Sequence, residues 1–181
     1  CMMRKILIDD AHELFRKDGM NYIELASDYR QIRYYTLLLI KHSRPRSDER
    51  LLLEQQVSEI IKNAVKHGNN CDPEKLVRVW YRFTDSEARM IVTDEGPGFA
   101  DLEKWNIFNE KREGYINKGD YESLMHYASW RTAKSDKFDG GNALFAAVEY
   151  WTRGVVFSGK RNTIAVGKSF YEDVMNSEDD V

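Results

Sequence analysis

Residues Glu59 to Asn70, EIIKNAVKHGNN, put a carboxylate, an amide and an imidazole on one face of a helical pattern. On a 3.6-residue period Glu59, Asn63 and His67 stack in successive turns, while Ile60, Ile61, Ala64 and Val65 turn away from them. An amide oxygen one turn from a carboxylate suits a hard cation such as Mg²⁺, which keeps several waters and takes further ligands from phosphates. The carboxylate can also orient or deprotonate a hydroxyl that attacks phosphorus. Taken alone, such a pair is more often a solvated helix face.

Two further stretches carry chemistry. In VTDEGPGFA an apolar strand runs into Asp94, and Gly96 and Gly98 allow close backbone approach and dihedrals closed to other residues. An acid at a strand end beside such a turn can accept a hydrogen bond from an exocyclic amine, although a plain turn has the same appearance. In DGGNALFAAVEYW, Gly140 and Gly141 precede a helix expected to begin near Gly141, whose first N–H groups and positive end suit phosphate. As a fragment it also reads as an ordinary helix start.

The elements that must position these residues can be read from periodicity. ILIDDAHELFRKDG has the spacing of a short amphipathic helix closed by Gly19, and NYIEL that of a first strand. DYRQIRYYTLLLIKHS predicts a helix with Ile32, Tyr35, Leu38 and Leu39 on one side, ending before Pro45. The helix carrying Glu59 starts near Asp48 and stops at Gly68-Asn69-Asn70. KLVRVWYRF alternates, with Val77, Val79, Tyr81 and Phe83 on one face, and EARMIVTD answers it after a turn at Asp85-Ser86. GVVFSG and NTIAVGK form a second expected hairpin. Between Ala100 and Asp139 the sequence is least regular: EKREGYINKGD is polar, and YESLMHYASWRTAK predicts a helix. A connection of this length in a compact domain is usually functional, commonly a lid.

A chain of 181 residues with 42% hydrophobic and 31% charged residues suits one globular domain. The net charge of -3 gives no overall basic footprint, so no direct nucleic-acid partner is expected. Cys1 and Cys71 form no CxxC and no disulfide framework. The longest apolar run, YYTLLLI, is too short to cross a bilayer, and a cytoplasmic location is expected.

In this order, SEIIKNAVKHGN, DEGPGF and DGGNALFAAVEY resemble the N box and the two glycine boxes of the GHKL-type ATP-binding domain. Histidine kinases, gyrase-type ATPases and anti-sigma-factor serine/threonine kinases share that domain. The resemblance covers roughly residues 21–168 and is nearest to the small anti-sigma kinases, whose single domain also opens with a strand and a helix. It implies an α/β two-layer sandwich, a mixed, mostly antiparallel sheet with helices on one face and ATP between helices and lid. Residues 21–170 would form this domain, with a lid at about 100–139, an N-terminal helical extension over 1–20 and a frayed acidic tail over 171–181.

Carried over by position, Glu59 matches the general base and Asn63 the Mg²⁺ ligand. Asp94 matches the acid that binds the adenine amine, in a pocket shaped by Gly96 and Gly98. Thr163 matches a hydroxyl near adenine. Gly140 and Gly141 would lie by the phosphates, with Lys66 or His67 reaching them from the N-box helix. Arg131 and Lys134 suit phosphate by charge alone. The second glycine box departs from its usual form by placing Ala143 where a glycine is common; a positive φ or a phosphate contact there would weaken ATP binding.

The resemblance implies an ATP- and Mg²⁺-dependent kinase that phosphorylates an anti-anti-sigma (STAS) partner and sequesters a sigma factor, acting as a homodimer. The alternative is a degenerate regulatory module with weak or no ATP binding. A histidine-kinase catalytic domain is the third reading, suggested by His12-Glu13, but the flanking sequence lacks a two-helix hairpin and His12 reads as a surface residue.

Overall fold

The computed structural model describes residues 4–43, 45, 47–126 and 139–170, with the backbone alone for residues 47 and 139–142. Trp130, Arg131, Lys134 and the acidic tail lie outside the described residues.

Six strands form one sheet: β1 (Leu7–Ile8), β2 (Asn21–Ala26), β3 (Leu76–Phe83), β4 (Glu87–Thr93), β5 (Gly154–Phe157) and β6 (Thr163–Ser169). Their order is β1-β5-β6-β4-β3-β2, with β1 parallel to β5 and every other pair antiparallel. The helices are α1 (Ile32–Ile40), α2 (Ser47–Lys62), α3 (Leu102–Asn117) and α4 (Asp139–Tyr150). The expected mixed, mostly antiparallel two-layer sandwich is the observed fold.

Strand alternation builds the main core. Val77, Val79 and Phe83 of β3 and Ala88, Met90 and Val92 of β4 face the helices, where Leu39, Leu53, Val57, Ile61, Val65, Leu144, Val148 and Trp151 meet them. Tyr81 packs against the same core in partly buried form, as its register on β3 requires.

Residues 6–19 depart from the sequence expectation. Instead of an amphipathic helix, Leu7–Ile8 is a strand, and helical character is confined to a 3-10 turn at Glu13–Phe15. Polar side chains compete with helix formation here: Asp9 accepts the Ala11 N–H, His12 Nδ1 accepts the Leu14 N–H, and Asp10 accepts the Gly159 N–H. His12 is thereby the cap of a short turn.

The segment crosses the sheet face opposite the helices and makes a small second core. Leu14, 2% exposed, packs with Ile91, Val156 and Ala165. The Arg89 guanidinium fastens this strap by donating to the carbonyls of Leu14 (3.0 Å) and Arg16 (2.9 Å). Gly167 leaves the room for it, since a Cβ there would stand 2.9 Å from Leu14 Cδ2.

The polar stretch after Ala100 also differs from expectation, because α3 is a sixteen-residue helix. Its apolar signal is sparse: Leu102 and Trp105 are buried, Trp105 and Phe108 stack on Phe145 of α4, and the remaining face is solvated. Asn106 adds a two-way tie to the backbone of Ile6, accepting its N–H at 3.0 Å and donating to its carbonyl at 2.9 Å. The helix expected over YESLMHYASWRTAK is present at residues 121–126, and its remainder lies outside the described residues.

Truncation of the strap's anchor tests whether the second core carries load. Leu14→Ala should lower unfolding stability by about 2–5 kcal/mol, the range for emptying a closed leucine site. Urea denaturation measures it, and a loss under about 1 kcal/mol would show that the strap is not part of the cooperative unit.

Candidate functional site

The α2 helix does not end in α geometry. Asn63–Gly68 forms a π turn, with the Asn69 N–H bonded to the Ala64 carbonyl, five residues back, at 2.9 Å. Glu59, Asn63 and His67 nevertheless line one common cavity of about 480 Å³, so the polar stripe survives the widened turn. Ile60 and Ala64 also line it, whereas Ile61 and Val65 are wholly buried in the core. The apolar stripe is therefore split between core and cavity wall.

Across the cavity stand Asp94, Gly98 and Phe99, reached from the end of β4, and Ala143 and Leu144 of α4. The Phe99 and Phe157 rings lie 5.7 Å apart and, with Val92 and Ile164, give an apolar interior. A mostly apolar cavity of this size with a few placed polar groups is the usual form of a small-ligand site.

Asp94 is its most perturbed group. Burial pushes its carboxyl above the ordinary carboxylate range, and the Gly96 N–H, bonded to Oδ1 at 2.8 Å, pulls the other way. Among the described residues none donates to Oδ2. The backbone around it is tightly specified: the Asp94 N–H donates to the Asn162 carbonyl at 3.0 Å, and Asn162 Nδ2 donates back to the Asp94 carbonyl at 3.3 Å.

Glycine is required at this corner for steric reasons. A Cβ on Gly68 would stand 2.3 Å from the Asp94 carboxyl, and one on Gly96 would stand 2.1 Å from the Gly68 carbonyl oxygen. Gly98 combines φ of +96° with a would-be Cβ contact of 2.1 Å to the Lys160 carbonyl.

Of the remaining expected residues, Gly96, Lys66 and Thr163 lie off the cavity wall. Gly96 packs on Gly68 and is not part of the wall; Lys66 is exposed, with Nζ 5.3 Å from the Tyr29 ring centroid. The Thr163 hydroxyl is held by Thr93 Oγ1 at 2.9 Å, its cross-strand partner, and Thr163 does not line the cavity. Gly140 and Gly141 occupy the first turn of α4, which begins at Asp139. Ala143 lies within that helix, so its Cβ meets no positive-φ penalty, and what remains is its place in the cavity wall. Glu59 is partly exposed and has Lys62 Nζ at 3.8 Å.

Sequence reasoning missed four polar residues of the cavity wall, Gln56, Asp101, Arg161 and Asn162. Gln56, three residues before Glu59 on the same face, was available from the helical period. Asn162 and Arg161 carried no local signal. Arg161 has a left-handed φ of 61°, and its guanidinium meets Glu103 of α3 at the cavity rim; the Glu103 carboxyl is held below its ordinary range by its own backbone N–H and then by Arg161.

These features define an ATPase-type sandwich with its cavity between the N-box helix, the glycine corner and α4. Residues 24–120 match the histidine kinase-like ATPase domain family, and the chain belongs to that family. Among characterised relatives, the anti-sigma F factors of Geobacillus stearothermophilus and Geobacillus kaustophilus are each 37% identical to it over 60 residues. That of Shouchella clausii is 35% identical over 60 residues. In each case the match spans 33% of this chain and 41% of the relative, less than half of either.

The raised pKa of Asp94 has a stability consequence with a definite sign. An acid more easily protonated in the fold than in the unfolded chain weakens folding once ionised; the penalty is absent below the unfolded pKa and complete above the raised one. Asp94→Asn should therefore melt at the same or a higher temperature than the parent at pH 7, with the difference vanishing towards pH 3. A lower melting temperature at pH 7 would show that the ionised carboxylate stabilises the fold.

Proposed function

We propose that the chain binds ATP with Mg²⁺ and is a serine/threonine kinase of the anti-sigma type. It phosphorylates a STAS-type anti-anti-sigma partner and sequesters a sigma factor, as a cytoplasmic homodimer. The observation that supports this most directly is the pairing, in one cavity, of a half-buried acid, Asp94, with the Glu59–Asn63 stripe. The anti-sigma F factor relatives supply the partner class.

The cavity fits the nucleotide in chemistry as well as size. Its apolar walls suit a purine, Asp94 Oδ2 is available to an exocyclic amine, and the corner glycines let backbone close around the base. Asn63, on the cavity wall, would hold the cation through its amide oxygen, and His67 lies one turn further along the same wall. A bound Mg²⁺ would neutralise charge on the β- and γ-phosphates. In the transfer itself the partner's hydroxyl oxygen bonds to the γ-phosphorus, the bond from that phosphorus to the β,γ-bridging oxygen breaks, and ADP leaves. The hydroxyl proton passes to the Glu59 carboxylate. The phosphoserine then places about two negative charges on the contact and separates partner from kinase.

Calorimetric titration of Mg-ATP into the protein tests the first half. Micromolar binding that Asn63→Ala and Asp94→Asn both weaken at least tenfold supports the nucleotide site. No heat at millimolar ATP overturns it and favours a nucleotide-free binding module, for which the Ala143 side chain in the cavity wall is the specific structural argument.

Catalysis separates from binding at Glu59. Glu59→Gln should leave ATP affinity within about threefold while lowering phosphotransfer to a STAS substrate by about 10²–10⁴, the range for loss of a general base. Acidification should weaken ATP binding from a pH above the ordinary carboxylate range, as Asp94 takes up its proton. The same titration of Asp94→Asn should lack that component, and an identical pH profile would remove Asp94 from the binding reaction.

A further inference from the structure

Asn69 is a buried amide whose side chain makes three hydrogen bonds, and no part of the proposed chemistry employs it. It is 0% exposed. Its Oδ1 accepts the Glu95 N–H at 2.6 Å, and its Nδ2 donates to Ser27 Oγ at 2.9 Å and to the Leu76 carbonyl at 3.0 Å. Ser27 Oγ passes the chain on to the Lys75 carbonyl at 2.6 Å, and Glu95 Oε2 accepts the Leu76 N–H at 2.6 Å. One amide thus joins the end of the N-box helix to the end of β2, the start of β3 and the peptide that follows β4.

The bond to Glu95 is the informative one. The Glu95 N–H belongs to the peptide plane whose carbonyl is that of Asp94. Asn69 Oδ1 holds the N–H end of that plane and Asn162 Nδ2 holds the carbonyl end. With both ends fixed, the backbone ψ of Asp94 is fixed, and with it the direction in which the carboxyl leaves the chain. The residue before Asn69 is Gly68, against which the Asp94 carboxyl packs too closely for any Cβ.

The π turn is what delivers this amide. The Asn69 N–H bonds to Ala64, five residues back, and the chain then reverses through Asn70 and Cys71, both at φ of 53°. In a continued α-helix position 69 would bond to Val65 and point about 100° away, leaving the Glu95 N–H without this acceptor. A local distortion of the helix and two consecutive left-handed residues are maintained around this one buried side chain.

We propose that Asn69 is a positioning residue for base recognition: by fixing the Asp94–Glu95 peptide it aims the Asp94 carboxylate at an exocyclic amine and so sets the preference for a 6-amino over a 6-oxo purine. The inference rests on the nucleotide-binding reading above. It concerns the geometry of discrimination, and a site accurate to a few tenths of an ångström needs its supporting groups locked in this way.

The test compares ATP with inosine triphosphate, which carries an oxygen in place of the amine, by calorimetry with Mg²⁺ on the full chain. The parent is expected to prefer ATP at least tenfold. Asn69→Ala should cut that ratio at least fivefold while binding of the inosine nucleotide changes less than threefold, since the polyphosphate contacts are untouched. Ser27→Ala, which removes one partner of the amide and leaves the Glu95 bond, should lower the ratio in the same direction, by at least twofold, and it serves if Asn69→Ala does not fold. A purely structural role would lower the melting temperature and leave the ratio unchanged, and that result in a folded variant overturns the proposal alone. A parent that binds both nucleotides equally overturns the role of Asp94 and the proposal with it.

Discussion

The structure turns on the close approach of the N-box helix end to the end of β4. At Gly68, Asp94 and Gly96 the two elements meet with no space for a side chain on either glycine. That contact brings the two halves of the candidate site together: the Glu59–Asn63–His67 stripe comes from one element and Asp94 from the other. Any Cβ inserted at the corner would push the acid away from the stripe, so the site depends on two absent side chains as much as on the present ones.

A cost accompanies this arrangement. The carboxyl of Asp94 is drawn into a largely apolar cavity, where burial opposes its ionised form and a single backbone N–H resists that shift. The surrounding hydrogen bonds from Asn162 and Asn69 rigidify the backbone without neutralising the charge. A desolvated acid with an available oxygen is poorly suited to stability and well suited to a ligand that brings a donor.

The sheet serves the site through both of its faces. The helical face supplies the large core that fixes α2 and α4, hence opposite walls of the cavity. The other face is covered in part by the strap around Leu14, held by Arg89 of β4, the strand that leads into Asp94. The strap shields Ile91 and Val156, which would otherwise stand on a solvent-facing sheet surface.

Much of this was legible in the sequence, for a reason rooted in periodicity. Alternation along β3 and β4, the 3.6-residue stripe of α2 and the glycines after Asp94 are local patterns, and each specifies its own element and its own chemistry. What the sequence could not determine depends on partners far along the chain. Residues 6–19 have helix-like spacing, yet Leu7–Ile8 joins β5 and Leu14 enters a site opened by Gly167, so a distant sheet overrides local propensity. EKREGYIN reads as loop because its helix is held by only a few anchors, two of them stacking on Phe145. Lys66 and Thr163 matched a motif by position, but only tertiary packing decided that one lies near Tyr29 and the other bonds to Thr93. Asn69 is the clearest case: its type marks it as a helix stop, while its bonds to residues 27, 76 and 95 exist only because the π turn and three strand ends converge on it.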